Sequence, residues 1–165
     1  MRLQQIQEQI TENNKLIKSL QSQITQLSRQ NSELAIQREN KLIEYFRDYI
    51  ELGTSYKVTN WMYLTGVQTH LKKDEKPNSP NFQKEEVFKF VKKNAKSIVI
   101  ECTTKIKSTY TPGNSSRTMQ IIENPGWMFR IETMSLYHSL MKNSDFADAF
   151  KKYVSRKEAL DLLGI

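Results

Sequence analysis

The chain has 165 residues, with 25 Lys+Arg against 18 Asp+Glu, a net charge of +7 and a single cysteine. One cysteine excludes an intramolecular disulfide and a cysteine-based zinc cage within one chain, and a reducing, intracellular setting, cytoplasmic or nuclear, is expected. No apolar run approaches the ~18 residues that span a bilayer, and Met1 leads into Gln-rich polar sequence, so neither membrane association nor secretion is expected.

The first forty residues carry a heptad pattern. Read in sevens, the a positions are Leu3, Ile10, Ile17, Ile24, Asn31 and Arg38, and the d positions are Ile6, Asn13, Leu20, Leu27, Leu34 and Lys41. Apolar residues spaced alternately four and three apart keep one seam toward a partner helix, so association is needed to hide it. At 1.5 Å per residue the segment predicts a rod of roughly 60 Å. Ile at a with Leu at d favours two parallel strands, and Asn31 at an a position favours an in-register pair in which it meets its symmetry mate. Asn13 at d and Leu16 at g relax that preference toward other homo-oligomers. Gln7, Gln9, Gln21, Gln23, Gln30 and Gln37 flank the seam, leaving little charge pairing to select a partner. A helix folded back on its own chain would need a broader apolar face than this stripe.

The seam fails at Arg38 and Lys41, and a wider aromatic face follows at Leu42, Ile43, Tyr45, Phe46, Tyr49 and Ile50. The helix is expected to run to Leu52, with Gly53 as its C-cap. Two domains are therefore expected: a coiled-coil rod over 1–45 and a globular head over 46–165. The rod carries a net +1 and the head the remaining +6, so an anionic partner would dock on the head.

In the head, Tyr56–His70 reads as one or two strands with a bend at Gly66, and Lys72–Pro80 as an exposed loop. A helix is expected over Phe82–Ala95, with Val87, Phe88, Val91 and Ala95 inward. Ser97–Tyr110 alternates as a strand that buries Ile98, Ile100, Cys102 and Ile106. A turn at Pro112–Ser116 returns it as Thr118–Glu123, and Asn124-Pro125-Gly126 makes a further turn into a short strand, Trp127–Ile131. Met134, Leu136, Tyr137, Leu140 and Met141 fit one helix, and Ser144 caps a second bearing Phe146, Ala149, Phe150 and Tyr153. Ser155 with Glu158 is a capping box for a third. The fold class is α+β: a long N-terminal coiled-coil helix, then a small head with an antiparallel sheet and C-terminal helices.

The run YVSRKEALDLLGI, Tyr153–Ile165, resembles the opening of excisionase- or MerR-type helix-turn-helix domains. It covers 13 residues and contains no recognition helix, so that resemblance implies no groove-reading element.

The candidate anion or nucleic-acid face is Lys89, Lys92, Lys93 and Lys96, which on a helix would share one side, joined by Lys105, Lys107 and Arg117 from the hairpin. The competing reading is a solvated face, with Glu85 and Glu86 at the helix start and lysines at its end complementing the dipole. Lysine in place of arginine disfavours base-specific readout. The aromatics Tyr56, Trp61, Tyr63, Tyr110, Trp127 and Phe129 read as core packing before stacking platforms.

No catalytic or metal set is visible. His70 and His138 lie in unrelated segments, Cys102 reads as a buried thiol, and Asp145 and Asp148 fall at a helix start. No cofactor is expected. The chain therefore reads as a non-enzymatic coiled-coil homodimer whose paired heads bind another protein as an adaptor or scaffold, a layout that resembles kinetochore-type adaptors in outline. The alternative is a sequence-nonspecific nucleic-acid-binding protein of viral or mobile-element type that uses the lysine face.

Overall fold

A computed structural model describes residues 2–64, 68–70, 81–110 and 117–164. The expected bend at Gly66, loop at Lys72–Pro80 and turn at Pro112–Ser116 lie outside them. The elements are α1 (Leu3–Tyr49), β1 (Ser55–Lys57), β2 (Met62–Tyr63), β3 (Gln68–His70), β4 (Asn81–Phe82), β5 (Val87–Lys93), β6 (Ser97–Tyr110), β7 (Arg117–Glu132), α2 (Thr133–Leu140) and α3 (Ser144–Leu163). The fold is α+β, and the chain forms two compact units, Met1–Lys41 and Leu42–Ile165.

The first unit is helix alone. Residues 3–49 contain neither Gly nor Pro and are rich in Gln, Leu and Glu, so nothing in the backbone chemistry interrupts α1. Every residue from Arg2 to Arg38 is exposed.

In the second unit the end of α1 turns inward. Phe46 is wholly buried and meets Tyr137, Phe146 and Phe150 edge-on at ring centroid distances of 5.5, 5.9 and 6.1 Å. Such aromatic pairs contribute about 0.5–1.5 kcal/mol each beyond their buried area. The helix stops at Tyr49, not Leu52. One of its terminal carbonyls finds a side-chain partner, with Lys93 Nζ donating to the Arg47 carbonyl. Gly53 lies outside the helix at φ +87°, in the turn into β1, and its N–H donates to the Phe90 carbonyl at 2.8 Å.

The sheet is antiparallel in the order β1-β5-β6-β7-β3, and β2 pairs with β4 separately. Its inner face buries Phe88, Phe90, Ile98, Ile100, Cys102, Phe129 and Ile131 in one core with Phe46, Leu136, Leu140 and Phe150.

Three expected elements take a different form. The expected helix Phe82–Ala95 is instead β4, a turn and β5. Phe88 and Phe90 are both buried, which demands a period of two, because residues two apart on a helix would point nearly opposite ways. Glu85 at φ +79° bars a helical start, and Ala95 is exposed.

The expected turn at Asn124-Pro125-Gly126 is an irregularity within one 16-residue strand. Thr104 pairs with Glu123 and Cys102 with Trp127, so three residues of β7 face Thr103 alone. Asn124 and Gly126 absorb the excess at φ +48° and +68°. Finally, Ser155 does not begin a helix. It lies inside the unbroken 20-residue α3, so the run that resembles a MerR-type opening begins in the middle of a helix.

The N-cap position of α3 is Asn143, not Ser144, and its side chain serves another purpose. Wholly buried, Asn143 accepts from the Asn60 N–H at 2.7 Å and the Thr59 hydroxyl at 3.3 Å, and donates to the Ser139 carbonyl. It stitches the β1–β2 connection to the junction between the two helices.

Candidate functional site

The seam comes first. Leu3 is 88% exposed, and Ile6, Ile10, Ile17, Leu20, Ile24, Leu27 and Leu34 lie between 43% and 63%. With Asn13 and Asn31 they form one stripe on α1, and none of them is buried within the chain. A contiguous apolar stripe left in water is an association surface by default.

The lysines do not form one array. Lys89 lies on β5 beside Glu101 of β6, at 3.3 Å. Lys93, across the bulge between Phe90 and Lys92, binds the end of α1. Lys105 is held by buried Glu86 at 2.7 Å and sits 5.0 Å from the Phe82 ring centre. Lys92, Lys96 and Lys107 are exposed and have no ion pair among the described residues. Arg117 opens β7 opposite Tyr110. The i, i+3, i+4, i+7 stripe therefore does not exist, because the helix that would have made it is a strand. Glu85, expected at a helix start, is paired with Lys57 instead; that contact holds its carboxyl below the usual range.

Among the remaining candidates, Cys102 is fully buried, and burial pushes its thiol up to about 11. His70 lies on β3 opposite Met128, and exposed His138 on α2 has its ring 5.2 Å from that of Tyr137. Among the described residues no group of three His, Cys, Asp or Glu is placed to hold a metal ion. Nor, among them, is any helix long and apolar enough to cross a membrane. Trp61 and Tyr63, read as core residues, are 54% and 47% exposed and stack on each other at 5.9 Å. Phe129 is buried, and Tyr56 and Trp127 pack partly buried against the core.

Among the described residues, a cavity of about 350 Å³ lies between the end of α1, β1, β5 and the start of α3. Its aromatic lining is Tyr49, Tyr56, Phe90 and Phe146, and Glu51 and Asp145 supply carboxylates. Phe146 stands nearly perpendicular to both tyrosines, at 75° and 5.6 Å from Tyr49 and at 88° and 5.7 Å from Tyr56, so the rings meet as walls. Tyr56 also lies 5.4 Å from Phe88, and burial raises its phenol. Its hydroxyl is buried with no hydrogen-bond partner among the described residues, while the Thr59 hydroxyl donates to Asn143.

Sequence reasoning read Tyr49, Tyr56 and Phe146 as core and Asp145 as the start of a helix, and gave no reading of Glu51 or Phe90. The six are separated by up to 97 positions, and no local spacing joins them.

Compared with protein families, curated proteins and solved structures, the chain matches none.

Proposed function

We propose that this protein is a non-enzymatic, parallel homodimer joined through its N-terminal coiled coil, and that its paired α+β heads bind another protein as an adaptor or scaffold. The observation that carries the reading is the exposed Ile/Leu stripe from Leu3 to Leu34. At roughly half exposure each of its eight side chains gains about 1 kcal/mol on full burial, so two chains gain roughly 16 kcal/mol. Association costs about 4–15 kcal/mol, so the stripe supports a stable pair. Pairing also raises the effective concentration of the second head once the first is bound.

The division of the lysines favours a protein partner over nucleic acid. Lys89, Lys93 and Lys105 serve structural contacts, which leaves Lys92, Lys96, Lys107 and Arg117 as the remainder of the proposed face. Each phosphate neutralised adds roughly 0.9 to the salt slope of duplex binding, so four cations per head hold a polyanion only weakly at physiological salt.

Light scattering on the full chain and on an Ile17→Asp/Ile24→Asp variant, combined with titration of random duplex DNA, tests the proposal. A mass of two chains falling to one in the variant, with no DNA bound at physiological salt, supports it. A single-chain mass for the wild type overturns the pairing. Tight duplex binding lost in a Lys92→Glu/Lys96→Glu/Lys107→Glu variant overturns the choice of partner.

A further inference from the structure

The cavity between α1, β1, β5 and α3 has the composition of a receptor for a cation on an aliphatic stem. Four aromatic rings line it, and Phe146 meets both Tyr49 and Tyr56 edge-to-face. The faces of such rings are electron-rich and attract ammonium and guanidinium groups. Glu51 and Asp145 line the same space, and no lysine or arginine does. Neither carboxylate has an ion pair among the described residues, in a chain whose net charge is +7. Aromatic walls with two exposed, unpaired acids at their edge fit a cation on an apolar stem, because an apolar ligand would leave the charge of the acids unmatched and an anion would be repelled by them.

We infer that this cavity binds a lysine or arginine side chain presented by a segment of the partner protein, with its stem against Tyr49, Tyr56 and Phe146 and its cation between Glu51 and Asp145. The inference rests on the adaptor reading, and it names the chemistry of the partner that the heads select. The basic character of the rest of the head does not oppose it, since exposed charges more than about 8–10 Å away are largely screened at physiological salt. A volume of about 350 Å³ is at the small end for ligand sites, enough for one long side chain and part of its backbone.

Short capped peptides with a single central lysine, norleucine or glutamate test this on the full chain, with binding followed by amide chemical shifts in NMR. The lysine peptide is expected to shift the resonances of Glu51, Tyr56, Asp145 and Phe146 saturably, with norleucine at least tenfold weaker and glutamate without effect. Glu51→Gln and Asp145→Asn each weaken the lysine peptide about tenfold, the size of one charge-assisted contact. Both are conservative changes at the cavity mouth, and an unchanged amide spectrum elsewhere verifies the fold. Equal binding of the norleucine peptide, or lysine binding indifferent to both substitutions, overturns the inference. So does the absence of saturable shifts with every peptide. Repeating the titration on the Ile17→Asp/Ile24→Asp chain separates this result from the pairing: the single-site affinity is expected to be unchanged there, whatever the oligomeric state.

Discussion

Lys105 Nζ lies 2.7 Å from Glu86 Oε2, and the carboxylate it meets has no exposed surface. Glu86 Oε2 also accepts the Gln83 N–H at 3.0 Å, and Oε1 accepts the Ile106 N–H at 2.9 Å. The register of β5 against β6 slips at this point, between Val87/Thr104 and Phe88/Cys102. The side chain thus supplies the acceptors that the irregular ladder does not. Replacing Glu86 by Ala takes the carboxylate away from a partly buried ammonium and two amides, and a loss of about 3–5 kcal/mol in urea unfolding is expected. The double variant Glu86→Leu/Lys105→Met is expected to recover only part of that loss, because the amides still lack an acceptor. Full recovery would show that the pair serves charge balance alone.

Tyr45, near the end of α1, donates its phenolic proton to Asp161 of α3 at 2.5 Å. That hydrogen bond, with burial and the negative charge of Asp161 behind it, raises the phenol to about 12 from its ordinary value near 10. The unfolded chain therefore loses this proton first as pH rises. The stability contributed by the contact is complete below about pH 10 and is lost between about 10 and 12. In an ultraviolet titration of the seven tyrosines one is expected to ionise last, near 12, and to disappear in Tyr45→Phe. Loss of the last-titrating group in another tyrosine variant, with Tyr45→Phe unaffected, would contradict this assignment.

Cys102 is buried on the inner face of β6, with its thiol raised to about 11. At pH 8 a buried thiol with so little thiolate is expected to react with an aromatic disulfide reagent at least a hundredfold more slowly than free cysteine. It should become fully reactive in denaturant. Rapid modification of the folded chain would place this residue at the surface.

The sequence made the helix with its apolar stripe and the aromatic end of α1 readable because each depends on helical spacing alone. Leu42, Ile43, Tyr45, Phe46, Tyr49 and Ile50 all pack into the core that their pattern implied. The strand with Ile98, Ile100 and Cys102 inward was legible for the same reason, whereas Ile106, expected with them, is only partly buried beyond the register shift at Cys102/Thr104, and Val99 on the other face is buried. The segment Val87–Lys93 was not, because VFKFVKK satisfies both periods: Val87, Phe88 and Val91 fit a helix, and Phe88 with Phe90 a strand. Pairing with β1 and β6 decides it, and those contacts lie outside the segment. Reading a helix there also created the lysine stripe, so one wrong period produced the wrong site. The cavity was illegible because Glu51, Tyr56, Phe90 and Asp145 come together only when α1, β1, β5 and α3 are assembled.

Pairing through the seam, in register and in parallel, is what the adaptor reading depends on, and an Asn31→Cys substitution tests it most directly. In a parallel pair the two a-position thiols face each other, while an Arg29→Cys control at an outward f position keeps its thiols apart. The native Cys102 is buried and does not interfere. Mild oxidation of the full-length Asn31→Cys chain, read by non-reducing electrophoresis, should convert most of it to a covalent dimer and leave the Arg29→Cys chain unlinked. Chains that remain single in both variants, or that link equally well in both, would contradict the parallel coiled coil.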